Sequence, residues 1–409
     1  MDFSGKVIFL NRFFYPDHSA TSQLLSDLAF DLVQRGIPVA VITSRLRYDD
    51  PEAKLLPRES LQGVEVHRVT TSRFGRHFLP GRAIDYLTFH LGALWLLFRI
   101  SCQGDVVVAK TDPPLISVTA LPVVWLKRLR LINWVQDLFP EVAVALKVKG
   151  IRGPLAFLMK LKRNLSLKTA RLNVALGERM AERLQGEGVA KERIRIIHNW
   201  SDGRSITPIP AAANPLRKEW GFRERFVVGY SGNLGRVHEF DTLLGAAEIL
   251  RERGDILFLF IGGGAGIARL QGEVARKKLS GVRFQPYQPR ERLPLSLGVA
   301  DAHWISLLPD MEGLIVPSKF YGIAAAGRPV LFVGDHQGEI ARLIEGADCG
   351  RTVSIGAAQA LADEIIKLAD DQGERVRMGQ AARALFDARF DRPQALDAWH
   401  RLIQETRHP

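Results

Sequence analysis

"VVGYSGNLGRVHEFDTLLGAAEIL", residues 227–250, decides how the chain folds. An apolar, β-branched start ends at Tyr230. A turn of mostly small residues follows, Ser231-Gly232-Asn233-Leu234-Gly235-Arg236, and a helical pattern begins near Glu239 or Asp241. A strand that passes through a short glycine turn straight into a helix is half of a parallel βαβ unit. The same alternation recurs along the whole chain. Strands are expected at 7–10, 39–43, 64–69, 106–110, 132–136, 172–176 and 194–198, then at 226–230, 257–261, 282–285, 302–307 and 329–333. Helical patterns separate them, so the expected class is α/β, with parallel sheets covered on both faces.

At 409 residues the chain is too long for one ordinary core. The segment 199–221, "NWSDGRSITPIPAAANPLRKEWG", has three prolines and few large apolar residues, and reads as a linker. The expected plan is a first Rossmann-like domain over 1–204, a second over 205–388, and a terminal helix over 389–409. Two doubly wound domains would face each other across a cleft at the carboxyl ends of their strands, where ligands bind in this architecture. The composition, 46% apolar and 24% charged, is that of a soluble protein. Cys102 and Cys349 are too few and too far apart for a disulfide framework and read as small buried residues in a reduced compartment. The apolar run near the N-terminus, Val7–Leu10, is too short for a signal peptide, and the uncharged stretch 113–126 contains Pro122 and is too short to span a bilayer. The expected location is the cytoplasm.

The net charge of +12 is unevenly spread. Residues 1–204 hold 30 Lys and Arg against 19 Asp and Glu, whereas residues 205–409 hold 26 against 25. Between Lys127 and Arg171 stand 11 basic residues and two acidic ones, Asp137 and Glu141. This asymmetry suggests an anionic partner: nucleic acid, anionic lipid or a phosphorylated substrate. Nucleic acid is disfavoured, because no zinc module, helix-turn-helix signature or RNP-like aromatic strand is present. The apolar segment 86–100, just upstream, holds Phe89, Trp95 and Phe98, which could meet a membrane interface beside the basic run.

Several stretches carry chemistry. In the turn after Tyr230, Ser231, Gly232, Asn233 and Gly235 allow backbone N–H groups to approach a phosphate, and Arg236 can reach its oxygens; an ordinary tight turn has the same look. "FLFIGGGAGIARL", 258–270, fails as a dinucleotide fingerprint, because Ile267 stands where the third glycine belongs. It reads as a tight βα connection. "EGLIVPSKFYGIAAAGRPV", 312–330, starts a helix at Pro317 and stops it at Gly327, yet puts Ser318 and Lys319 in the first turn. A cation there opposes the helix dipole by about 0.3–1 kcal/mol unless an anion sits beside it. In the first half, His18, Ser19, Ala20 and Thr21 follow the first strand, and Asp137 and Glu141 follow a buried one. His18 reads as the only histidine beside a candidate loop. No His/Cys cluster with metal spacing, nucleophile elbow or Walker loop occurs.

Taken in order, "FYPDHSATSQLLSDLA", "TDPPLISVTA", "WVQDLFPEVAVAL", "IIHNWSD", "GYSGNLGR" and "EGLIVPSKFYGIAAAGRPV" resemble the family 4 retaining glycosyltransferases of GT-B fold. The likeness is to the branch that builds bacterial O-antigen, capsule and exopolysaccharide. It extends to "RFDRPQALDAWHRLI", which is similar to the helix that crosses back onto the first domain. The resemblance implies a nucleotide-sugar donor, with UDP as the expected nucleotide, held by the second domain. It implies an acceptor on the first, here a lipid-linked saccharide at an anionic membrane surface. It places Glu312 against the donor sugar and matches Arg236 to an arginine at the diphosphate; apart from the resemblance, the helix start at Pro317, Ser318 and Lys319 could donate to the same diphosphate. Asp137 stands where the family contacts acceptor or sugar. Neither cofactor nor metal is implied. The chain departs from the pattern at four places. Phe320 stands where the second glutamate of the E-x7-E motif belongs. No basic residue occupies the family's lysine position near Phe240 and Asp241, a gap Lys319 could fill. Ser19-Ala20 replaces two glycines, and Gln136 replaces a histidine. The other enzyme reading is a soluble transferase with a small sugar acceptor.

Overall fold

The computed structural model describes residues 5–48, 50, 52–74, 79–222 and 224–407. They divide into two compact units, Met1–His198 with Leu396–Pro409, and Asn199–Ala395. The break falls at the front of the proline-rich stretch, not at 204/205. The reason is that the stretch's first residues are tied into the second unit: Ser201 N–H donates to the Phe390 carbonyl at 3.3 Å, and Gly203 N–H to Asp391 Oδ1 at 2.9 Å.

In the first unit the elements run β1 Val7–Leu10, α1 Ala20–Gln34, β2 Val39–Ser44, β3 Arg58–Leu61, β4 Val64–Val69, α2 Leu79–Ile100, β5 Val106–Lys110 and α3 Ile116–Leu126. They continue with β6 Arg130–Trp134, α4 Glu141–Ala145, α5 Gly153–Thr169, β7 Leu172–Ala175, α6 Glu178–Gly186 and β8 Ile194–Ile196. One eight-stranded sheet results, in the order β3-β4-β2-β1-β5-β6-β7-β8. Every described pairing is parallel except that of β3 with β4. Right-handed crossovers put α2, α3 and α5 on one face of this sheet and α1 on the other. β1 lies between β2 and β5, so crossovers leave it in opposite directions, which makes its carboxyl end a topological switch point.

The second unit contains α7 Pro215–Glu219, β9 Phe226–Asn233, α8 Asp241–Ile249, β10 Ile256–Gly263, α9 Ile267–Arg276, β11 Val282–Gln285, α10 Leu293–Gly298 and β12 Ala302–Ser306. It ends with α11 Lys319–Ala325, β13 Val330–Val333, α12 Glu339–Ala347, β14 Gly350–Val353, α13 Ala358–Asp370 and α14 Gln372–Arg389. Its sheet is parallel throughout, in the order β11-β10-β9-β12-β13-β14, and here the switch point is β9. The last helix, α15 Arg392–Arg407, joins the first unit from Leu396 onward. Trp399 of that helix packs on Trp134 with ring centroids 4.5 Å apart, and Asp397 pairs with Arg35 at 2.7 Å.

Two strands lie outside the expected set, β3 and β14. Cys349 is buried as expected, but Cys102 is exposed in the turn after α2. In the heart of the second sheet His303 is 1% exposed, and its Nε2 donates to the Leu297 carbonyl at 2.8 Å. Burial pulls its pKa from 6.5 to about 4. Between those values the unfolded chain binds the proton and the folded chain does not, so stability must fall as pH drops from 6.5 toward 4. The loss at this one site should approach about 3 kcal/mol, and denaturant titrations at pH 7 and pH 4.5 should show a drop that His303→Asn reduces.

Candidate active site

The glycine turns of the second unit explain each other. β9 does not stop at Tyr230 but runs on to Asn233, because β10 extends beside it: Gly232 pairs with Gly262 and Asn233 with Gly263. Gly232 and Gly262 both have φ near +124°, a conformation glycine alone adopts readily. A Cβ on Gly262 would strike the Gly232 carbonyl. Leu234 N–H then donates to Gly263 O at 2.7 Å, and Gly266 N–H to Leu234 O at 2.9 Å. The "GGGAG" stretch is therefore the tight connection expected of it, and also the floor of the neighbouring turn.

Lys319 is aimed at that turn. It is the first residue of α11, with Ser318 at the cap position and Pro317 one residue before it, so the helix starts later than the proline suggests. Its Cε comes within 3.1 Å of where a Gly232 Cβ would stand. Nζ lies 5.2 Å from the Tyr230 ring centroid and 3.2 Å from His238 Nε2. His238 Nδ1 lies 2.7 Å from the Ser306 carbonyl. A carbonyl only accepts, so Nδ1 carries the hydrogen and Nε2 turns its lone pair to the lysine. Burial lowers the Lys319 pKa to about 8, and burial together with the Lys319 charge lowers that of His238 to about 4. Among the described residues no carboxylate pairs with Lys319. The result is a desolvated ammonium with neutral neighbours at the carboxyl ends of β9 and β12 (the switch point of the sheet).

His238 was missed in the sequence, where His18 stood as the only histidine beside a loop. The signal was present: His238 follows Arg236 by two residues in the turn already singled out. Arg236 and Asn233 are exposed, and Ser231, Gly232 and Gly235 are half-buried on the same turn. Tyr287 was also missed. It is largely exposed, and its ring atoms come within 3.1 Å of the Cβ positions of Gly262 and Gly263. Ser318 is exposed beside Lys319. Glu312 is fastened at the start of α12, where its Oε2 accepts the Glu339 N–H at 3.2 Å; a side chain on Gly338 would collide with its carboxylate. Phe320 is fully buried, edge-on to Tyr321 and Phe390 at 5.9 Å, so that position belongs to the core.

In the first unit, three strand ends converge. Arg12 N–H donates to the Asp112 carbonyl at 2.7 Å, and Gln136 N–H to Thr111 Oγ1 at 3.3 Å. Asp137 is half-buried there. Desolvation raises its pKa to about 6, against a Thr111 hydrogen bond that lowers it, with a further upward push from Asp112. Its Oδ1 is buried with no hydrogen-bond partner among the described residues. Beneath lies Lys110, 1% exposed, with Nζ 2.8 Å from the Thr21 carbonyl and 3.7 Å above the Trp134 ring. Burial drives its pKa well down, and it pins the start of α1. His18 and Ala20 are exposed and Ser19 and Thr21 half-buried around that start, with Ser19 N–H held by Asp17 Oδ1 at 2.8 Å. Glu141 does not join them. Its carboxylate pairs with Arg163 at 2.5 Å and lies 3.6 Å from Lys160, turned toward α5, because a half-buried carboxylate is stable only beside such partners.

No group of three or more potential metal ligands occurs among the described residues. Two sets of strand ends, one with a desolvated cation beside a glycine turn and one with a protonatable carboxylate, in two Rossmann-like units, define a GT-B glycosyltransferase plan. Sequence comparison agrees. A model of the glycosyl transferases group 1 matches residues 214–385, and one of the glycosyl transferase 4-like domain matches residues 21–200. The chain belongs to this glycosyltransferase family. It is 27% identical over 65% of its length to a Pseudomonas aeruginosa protein named as the probable glycosyltransferase WbjE, 67% of which is covered. It is 28% identical over 39% of its length to WcaI of Escherichia coli strain K12, named as a colanic acid biosynthesis glycosyl transferase, 39% of which is covered. Anabaena HepE in complex with UDP-glucose has the same fold, at TM-score 0.72 and 16% identity, over 98% of this chain and 99% of that one.

The Lys319 geometry has a measurable consequence for stability. An unfolded lysine keeps its proton to about pH 10.5 and this one only to about 8, so stability should rise with pH across that window. Lys319→Met should abolish the rise and add roughly 1–3 kcal/mol at pH 7, read from denaturant melts.

Proposed function

We propose that the enzyme transfers a sugar from a UDP-sugar to a hydroxyl of a lipid-linked saccharide, with retention at the anomeric carbon, at the anionic cytoplasmic face of a membrane. The observation that carries this reading is Lys319, a desolvated cation beside the glycine turn of a switch point with no carboxylate paired to it among the described residues. A diphosphate is the ligand such a group favours, since the anion replaces the water that burial removed. Arg236 on the same turn supplies a second charge, and the backbone N–H groups of the Ser231–Gly235 turn add donors. The exposed Tyr287 ring offers a stacking face for the base. That HepE was solved with UDP-glucose supports the donor class, and the colanic acid role in the name of WcaI supports the polysaccharide setting.

In the reaction the bond from the anomeric carbon to the β-phosphate oxygen breaks, and the electron pair leaves with UDP. The acceptor oxygen bonds to the same face of the carbon, and its proton passes to the departing phosphate. Charge grows on the diphosphate as the bond stretches, so Lys319 and Arg236 act on the transition state more than on the bound donor. These cations do the neutralising without a metal, and no cofactor is required. Glu312, anchored on α12, orients the sugar. Asp137, with His18, Ser19, Ala20 and Thr21 around it, serves the acceptor side.

Calorimetry should find UDP binding weakened by roughly 1.5–3 kcal/mol in Lys319→Ala and in Arg236→Ala. Unchanged affinity in both would remove the pocket. Glu312→Gln keeps an oxygen for the Glu339 N–H, so it should fold and bind UDP normally while losing most transfer activity. The product's anomeric proton coupling in NMR should match that of the donor; an inverted coupling would refute retention.

A further inference from the structure

Helix α2 has two faces. Asp85, Phe89, Ala93 and Leu97 are buried against the first sheet, and a Cβ on Gly92 would run into Val69. The opposite stripe, Ile84, Leu87, Leu91, Trp95 and Phe98, is open to solvent, with Leu91 at 59% and Trp95 at 54%. Phe89, expected at an interface, is therefore core. Gly81–Ile100 is long and apolar enough to cross a bilayer, yet its inner face is already committed to the sheet. A helix fastened along one side lies flat.

The basic run carries the same design, unseen in the sequence because leucines in a helix read as core. In α5, Ala156, Arg163 and Leu167 face inward, while Leu155, Leu158, Leu161 and Leu165 form an exposed stripe, with Phe157 beside it at 69%. Helix α3 packs against both α2 and α5 and presents Trp125 and Leu126 outward between them. Soluble surfaces rarely carry contiguous apolar area of this extent without a partner. The rim is one-signed: Arg82, Arg99, Arg128, Lys162 and Lys168 are exposed, and the only carboxylate in 79–100, 116–130 and 147–169 is the buried Asp85.

We infer that the outer faces of α2, α3 and α5 form one docking surface for an anionic bilayer, entered by the apolar stripes and held by the basic rim. The chemistry selects this occupant. A second copy of the chain would set two cationic rims against each other, and a nucleic acid would leave the leucines and tryptophans uncovered. The snorkelling geometry also fits: Arg99 lies 4.8 Å above the Trp95 ring and Lys127 4.7 Å above Phe98, cations perched over the groups that would enter the acyl region. The purpose of docking rests on the lipid-linked acceptor proposed above; the surface itself does not.

Flotation of the full chain with vesicles of phosphatidylcholine alone and with 30% phosphatidylglycerol tests it. Binding should appear on the anionic vesicles and persist in part at 1 M salt, because the apolar stripes are insensitive to screening. Leu91→Glu with Trp95→Glu, and separately Leu158→Glu with Leu161→Glu, should each lower the partition coefficient at least tenfold while leaving UDP affinity unchanged. Since these side chains are exposed, both variants should melt like the parent. No binding at low salt, complete loss at 1 M salt, or equal binding by both variants would overturn the surface. So would dimerisation that the same substitutions abolish in the absence of lipid. Unchanged UDP affinity in such a case would leave the donor reading standing.

Discussion

An ammonium group with little water around it and, among the described residues, no carboxylate paired to it governs the second unit. Lys319 can hold its charge there only because its neighbours are arranged for it: the Tyr230 ring face, the lone pair of His238 and a turn with no side chain at Gly232. Each of these has its own support. The His238 tautomer is set by the Ser306 carbonyl, and the Gly232 turn by its pairing with Gly262. The cost of burying the charge is a destabilisation the fold tolerates, as active sites commonly do. On the function proposed above, an arriving diphosphate would convert that cost into affinity.

The same device recurs, with other chemistry, in the first unit. Lys110 is buried beneath the start of α1, and Asp137 is raised toward neutrality at the carboxyl end of β6. In the second unit the desolvated group stands where crossovers diverge, because there two loops part and leave the strand ends uncovered; in the first, Lys110 ends the strand next to the switch point and Asp137 follows one strand further on. Parallel sheets buried on both faces have no other opening of that kind.

Strands buried on both faces were legible in the sequence as short β-branched runs, and eleven of the expected twelve match within two residues of each end or better. The exceptions are instructive. β9 and β10 run on into glycines that no propensity marks as strand, because their pairing depends on each other. β3, "RESL", is a polar edge strand with alternate residues exposed, and β14, "GRTV", opens on a glycine because a side chain would meet the Val330 backbone. Lys319 was legible because a cation at a helix start is an anomaly that asks for an anion. Tyr287 was not, since its place beside Gly262 and Gly263 comes from loops that meet only in the fold, and His238 was passed over although it follows Arg236 by two residues. Glu141 was misplaced because nothing near it in sequence points to Arg163. Phe320 reads as a missing ligand until its aromatic neighbours are seen.

The most direct test of the central claim is the ionisation of Lys319 itself, followed by side-chain NMR of the labelled lysine with and without UDP. The account predicts a pKa near 8 in the free enzyme and an upward shift of about one unit or more when UDP binds, as an opposite charge replaces lost solvent. A value near 10.5 in both states, or a value near 8 that UDP leaves unmoved, would contradict it.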